Sequence, residues 1–212
     1  MKSLFKEIKL LEKSPVSKKI DKRLEQFSSF RSKSTKQWFS ELCFCILTAN
    51  SKAKTSIAIQ KQLRAKGFCE CAAGDIRKCI MKHKHRFHNN KTRYIIEARK
   101  HIDIKDKVID LVKEDGYFNA REWLVKNIKG IGYKEASHFL RNVGYFDLAI
   151  LDRHILNLMS VYRFIKQRPK QLNKKNYLAI EKKFKTIADN LAMSMAELDM
   201  YMWYMKTGEV LK

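Results

Sequence analysis

Only seven glycines and two prolines interrupt the 212 residues. A chain with so few breakers has little material for tight turns and short strands. Apolar residues recur at helical spacing and strand alternation is rare, so the expected fold class is all-α. Phe39, Leu42, Cys43 and Ile46 show the three-and-four spacing of a buried helix face. The same reading places helices at 2–13, 16–30, 35–49, 52–66, 75–84, 90–101, 105–115, 119–127, 133–143, 153–165, 174–189 and 195–206. Ser194 and Glu197 have capping-box spacing before the last of these, and Gly208 is a stop just beyond it. No internal repeat or low-complexity linker is visible. The nearest thing to a break is Gly144-Tyr145-Phe146-Asp147.

Two of the seven glycines fall together, in Lys129-Gly130-Ile131-Gly132-Tyr133-Lys134. Lys126 to Asn142 reads as helix, tight turn, helix. Glycine there can take positive φ or admit a close contact that a side chain would block. The turn amides and the positive end of the following helix make an anion site, for which a phosphate is the natural guest. A plain packing turn between two helices is the competing reading. Lys134 falls in the first turn of the second helix, where the dipole disfavours a cation, and imine chemistry needs a neutral amine. Taken alone it also reads as a solvated lysine. Asp152 follows 18 residues after Lys134, in Leu151-Asp152-Arg153-His154. It is placed to cap a helix starting at 153, and a capping carboxylate is rigid enough to serve chemistry as well. His138 and Arg141 lie four and seven residues after Lys134 on the same helix face, to back the site or to contact phosphate.

The balance of 45 Lys and Arg against 22 Asp and Glu gives a net charge of +23. Such a field favours a polyanion, either nucleic acid or an acidic membrane face. Between Lys52 and Lys100 there are 14 basic residues and three acidic ones. They are spread among amphipathic helices and not gathered in a tail, which favours nucleic acid. No stretch reaches the roughly 18 apolar residues of a membrane span. The N-terminus is charged throughout and does not read as a signal peptide. The five cysteines, Cys43, Cys45, Cys69, Cys71 and Cys79, are an odd number, and reduced thiols are expected. Their spacing does not fit a zinc site, and Cys43 and Cys45 read as core. His83, His85 and His88 lack a carboxylate or cysteine at helical spacing, so they read as a basic, DNA-facing loop and no metal is expected.

Lys-Gly-Ile-Gly-Tyr-Lys followed by Leu-Asp-Arg-His resembles the helix-hairpin-helix, Gly-Pro-Asp glycosylase superfamily. Lys129 replaces the familiar proline before the first glycine, and Ile150-Leu151 the Gly-Pro of the second signature. More specifically, Lys134–Asn142, Leu42–Asn50 and the closing Tyr204–Lys212 resemble the archaeal-type, second-class 8-oxoguanine DNA glycosylase/AP lyases. The resemblance covers nearly the whole chain and is thinnest at roughly 51–84 and 160–175.

That resemblance implies two helical domains, 32–145 with the helix-hairpin-helix motif and 1–31 plus 146–212, with the hairpin beside the interdomain cleft. It implies a bifunctional base-excision repair enzyme for 8-oxoguanine in double-stranded DNA. Lys134 would be the Schiff-base nucleophile and Asp152 would assist departure of the base. Asn50 would be the wedge that fills the gap left by an extruded base, though it reads equally well as a helix C-cap. Phe87 and Trp203 would sandwich the base, and Asp199, one turn before Trp203, would face the same pocket. Lys212 would help to tell 8-oxoguanine from guanine, because a fixed acceptor rewards the N7–H that only the lesion carries. On the sequence alone Lys212 reads as a frayed tail. Lys129, Gly130, Gly132, His138 and Arg141 would contact the DNA backbone. No cofactor is implied, although the superfamily's hairpin can hold a monovalent cation on its carbonyls. A monomer working on cytoplasmic, nucleoid DNA is expected. Two rivals stand beside this reading. One is an endonuclease III-like enzyme for oxidised pyrimidines, which lacks support from a four-cysteine cluster. The other is a non-enzymatic binding module, which leaves the Lys134 and Asp152 pair without a purpose.

Overall fold

Residues 3–212 are described here in a computed structural model. Among them every regular element is helical, which meets the expected class. The eleven α-helices are α1 (Leu4–Glu12), α2 (Val16–Ser29), α3 (Thr35–Thr48), α4 (Ala53–Glu70), α5 (Ala73–Lys82), α6 (His88–Ala98), α7 (Ile104–Asn127), α8 (Tyr133–Asn142), α9 (Arg153–Val161), α10 (Lys174–Asn190) and α11 (Met195–Thr207). The first expected helix began at residue 2, which lies outside the described residues. No described helix is long and apolar enough to cross a membrane.

The chain divides into two compact units, Phe30–Val143 and a second made of the residues through Ser29 with Gly144–Lys212. In the Phe30–Val143 unit α3 is the central element, packed by α4, α6, α7 and α8. Phe39, Leu42, Cys43 and Ile46 are fully buried, as their spacing requires. The burial extends further than one face, because every residue from Trp38 to Thr48 is buried. Polar groups on this helix therefore need partners inside the protein. The Trp38 indole N–H donates to the Phe30 carbonyl at 2.9 Å. The Glu41 carboxylate accepts from Gln60 at 2.9 Å and from Asn142 at 3.0 Å.

In the other unit α11 packs on α1, α2, α9 and α10. Ser194 caps α11 by accepting from the Glu197 N–H at 3.1 Å, and Gly208 ends it in the left-handed conformation at φ 70. Both ends were legible from residue type. α10 holds the extended segment before α9. Glu181 accepts from the Ala149 N–H at 3.0 Å, and the Tyr177 hydroxyl donates to the Ala149 carbonyl.

Most helix ends fall within about three residues of expectation, and three departures are larger. α4 runs on to Glu70 through a non-helical Arg64 at φ 54, because Phe68 beyond it is fully buried and anchors the extension. α9 stops at Val161, not 165, because Arg163 turns left-handed at φ 63 and Phe164 N–H returns to the Met159 carbonyl at 2.8 Å. The two helices expected at 105–115 and 119–127 form one element, α7, broken internally at Gly116 with φ 80 and ψ 172.

α3 also packs on α8 within this unit. Phe139 on α8 is fully buried with its ring edge-on to Trp38, centroids 6.1 Å apart. Phe139→Ala removes that ring from a fully buried site. A loss of about 3–5 kcal/mol is expected, read as a lower urea midpoint in circular dichroism. A change below about 1 kcal/mol would mean that the contact contributes little.

Candidate nucleic-acid site and its buried supports

The hairpin is built by close approach. α7 ends at Asn127, and Ile128 and Ile131 bury their side chains on either side of the turn. Gly130 takes φ 83, and a Cβ there would lie 2.4 Å from the Tyr94 ring of α6. Both its conformation and its contact exclude a side chain. Gly132 differs. It sits at φ −105, open to any residue, and its amide donates to the Glu135 carboxylate at 3.2 Å. One of the amides expected to face an anion is therefore engaged within the protein. Arg121 on α7 is buried, donates to the Ser137 hydroxyl at 3.2 Å, and lies 5.4 Å from the Tyr133 ring centroid. Tyr133 in turn donates to Glu122 at 2.7 Å. These contacts fix the second helix of the hairpin on the first.

Lys134 stands in the first turn of α8 with its side chain 23% exposed, accessible yet screened from bulk water. Its Nζ is 3.5 Å from the Glu135 carboxylate. Glu135 thus serves two groups at once, the Gly132 amide and the Lys134 amine. Lys129 is exposed and pairs with Glu97 at 3.1 Å. His138 and Arg141 are buried, His138 edge-on to Phe44 at 5.5 Å and Arg141 donating to Asn142 at 3.0 Å. Of the two roles open to them, this burial favours backing the helix over touching phosphate.

A second group gathers at the end of α3. Asn50 is exposed and left-handed at φ 57, the conformation that follows a helix end. Its carbonyl accepts from the Arg86 guanidinium at 3.1 Å, and the same guanidinium lies 4.8 Å from the Phe87 ring centroid. Phe87 is 37% exposed just before α6. His85 was expected in a DNA-facing loop and is instead buried, its Nε2 2.9 Å from the Leu47 carbonyl. Lys91 is buried too, donating to the Ile46 carbonyl at 2.7 Å. Neither residue was singled out by sequence as a support. Each answers a carbonyl about 40 positions earlier, a pairing that no local pattern announces.

In the other unit Asp152 caps α9 as expected. One carboxylate oxygen accepts from the His154 and Ile155 amides at 2.8 and 2.9 Å. Trp203 on α11 meets His154 edge-on, centroids 5.2 Å apart and planes at 87°. Asp199 is buried on the same helix, and Lys212 is half-buried. The five cysteines are free thiols. Cys43 and Cys45 are fully buried, and burial pushes the Cys43 thiol well up, away from reactivity.

Burial holds Lys91 down from 10.5 to about 8; the Glu135 carboxylate opposes this and the Lys134 amine adds to it. The unfolded chain keeps that proton up to its ordinary range. Between about 8 and 10.5 the unfolded state therefore binds more protons, and this contribution to stability rises with pH. The stability of the wild type relative to Lys91→Met should increase from pH 7.5 to pH 10, measured by paired urea titrations. A difference that stays flat would show that Lys91 titrates normally. Gly130→Ala should cost about 1–3 kcal/mol and weaken binding to undamaged duplex. Gly116→Ala, at φ 80 with open space around it, carries only the cost of φ and should leave binding unchanged. Equal effects of the two on duplex binding would remove the special role of the Tyr94 contact.

A family model described as 8-oxoguanine DNA glycosylase matches residues 20–193. An 8-oxoguanine DNA glycosylase/AP lyase of Methanocaldococcus jannaschii is 46% identical over 209 residues, 99% of each chain. One of Thermoplasma volcanium is 45% identical over 91% of each chain. The crystal structure of the Methanocaldococcus jannaschii 8-oxoguanine glycosylase/lyase in complex with a 15mer DNA containing 8-oxoguanine superposes with a TM-score of 0.94 over 99% of both chains, at 45% identity.

Proposed function

The chain belongs to the 8-oxoguanine DNA glycosylase family, and on that premise we propose that it excises 8-oxoguanine from double-stranded DNA and cuts the strand at the abasic site it creates. The observation that carries the chemistry is the screened amine of Lys134 in the first turn of α8, beside a turn pressed against Tyr94. Its Nζ attacks C1′ of the damaged nucleotide, the C1′–N9 bond breaks, and the base departs with the electron pair. Loss of a proton and ring opening leave an imine between Lys134 and C1′. The imine acidifies the C2′ proton, and its removal expels the 3′ phosphate by β-elimination.

Asp152 supports the positive charge that gathers on the sugar as the base leaves. Two helix amides fix its carboxylate in advance, so no reorganisation is needed at that moment. Asn50 fills the space left in the duplex, and its left-handed backbone projects it from the end of α3. Phe87 and Trp203 are the rings that stack on the extruded base, and Asp199 is a further contact to it. An acceptor held at Lys212 selects the lesion's N7–H over guanine's bare N7. Lys129, Gly130 and Gly132 meet the phosphates, with Glu135 giving up the Gly132 amide as an anion arrives. His138 and Arg141 support that surface from within. The protein acts as a monomer on nucleoid DNA in the cytoplasm.

Lys134→Gln should lower borohydride trapping and strand cutting on an 8-oxoguanine duplex by at least about a thousandfold, with duplex affinity kept. Trapping that persists in this variant would remove Lys134 from the nucleophile's place. Deleting Lys212 should reduce the preference for 8-oxoguanine over guanine by about tenfold or more in competitive binding. An unchanged preference would leave that residue idle.

A further inference from the structure

The end of α3 lies inside its unit, and its last carbonyls are answered one by one. The Thr48 hydroxyl donates to the Cys45 carbonyl at 2.8 Å, Lys91 to Ile46 at 2.7 Å, and His85 Nε2 to Leu47 at 2.9 Å. His85 makes one further bond. Its Nδ1 is 3.3 Å from the backbone nitrogen of Phe87, which can only donate. A carbonyl on one side and an N–H on the other fix one tautomer, with the proton on Nε2 and a lone pair on Nδ1. The ring is also edge-on to Phe87, centroids 6.4 Å apart. Arg86, the next residue, holds the Asn50 carbonyl and covers the Phe87 ring.

We propose that His85 is a positioning residue for lesion recognition: one neutral imidazole, bonded to the Leu47 carbonyl and the Phe87 amide, locks the Asn50 turn and the Phe87 ring into a single unit set before DNA arrives. This rests on the reading of Asn50 as wedge and Phe87 as stacking surface. Its physical content is preorganisation. An aromatic ring 37% exposed on a loop has freedom to lose when a base stacks on it, and fixing its backbone beforehand removes that cost from binding. The device is sensitive to acid. A second proton on the ring would sit on Nδ1, pointing at the Phe87 N–H, donor against donor. Burial above all, with Lys91, Arg86 and His88 adding to it, disfavours that proton and holds the imidazole below its usual range, while the Leu47 bond opposes the shift.

Two amide substitutions separate the two bonds. His85→Gln keeps a donor near Nε2 for Leu47 and loses the acceptor for Phe87. His85→Asn keeps an acceptor near Nδ1 and loses the donor for Leu47. The readouts are thermal stability and the ratio of affinities for 8-oxoguanine and guanine duplexes, measured in a Lys134→Gln background so that DNA stays uncut. His85→Gln should keep its melting temperature and lose about tenfold in the ratio, approaching Phe87→Ala. His85→Asn should melt lower and keep the ratio. Acidification should lower the ratio of the background protein only at pH below the ordinary imidazole range, and should not lower that of His85→Gln. If Phe87→Ala lowers the ratio and His85→Gln does not, the positioning role is overturned while the reading of Phe87 stands. If Phe87→Ala leaves the ratio unchanged, the reading of Phe87 fails and the inference falls with it.

Discussion

A helix that ends inside a protein leaves carbonyls that water cannot reach, and α3 ends that way. Each one left unpaired would cost about 1–3 kcal/mol, a large share of the margin of a domain this size. Thr48, Lys91 and His85 answer three of them within 3 Å. Two of the three donors come from the first turn of α6 and the segment running into it, so satisfying α3 also fixes where that segment lies. Phe87 and Arg86 are carried along between them, and the turn after α3 is held through Asn50. The placement of an exposed aromatic ring, Phe87, beside the turn after α3 is thus a by-product of completing a buried helix end.

The same requirement reaches the hairpin. Tyr94 is on α6, and its ring is the wall that leaves Gly130 no room for a Cβ. Lys91, one turn earlier on that helix, brings a buried amine into the field of Glu135 and Lys134. Two amines near the positive end of α8 repel each other and the helix dipole alike. Glu135 is the opposing charge, and its two oxygens serve Gly132 and Lys134. The carboxylate therefore steadies the turn and the first turn of α8 together.

What the sequence disclosed follows from the range of each interaction. Asp152, Ser194 and Gly208 act on residues within four positions, so type and spacing announced them. The buried face of α3 was legible by period, although the burial of its remaining faces was not, because one face satisfies the period and tertiary packing decides the rest. Gly130 and Gly132 looked alike in sequence. Only the Tyr94 ring, 36 residues earlier, distinguishes a glycine that must be one from a glycine that need not. His85 and Lys91 pair with carbonyls 38 and 45 residues away, and the sequence placed His85 in a basic loop and did not single out Lys91. In this chain polar residues that turn inward are the ones that pattern reading misplaces.

The unit containing Asp152 obeys a parallel logic with different parts. A carboxylate in an N-cap is only as rigid as the segment leading into it. Here α10 grips that segment through Tyr177 and Glu181, 28 and 32 residues beyond Ala149. α11 adds a bond from the Ala196 amide to the Phe146 carbonyl at 2.9 Å. The lead-in is thus held on both its amides and its carbonyls before the cap begins. The role proposed for Asp152 requires a charge that does not swing towards water as another charge develops, since reorientation would return much of the stabilisation to the solvent. A buried clamp on backbone, not on the carboxylate, meets that need. It leaves one oxygen committed to two amides and the geometry of the other set by the first.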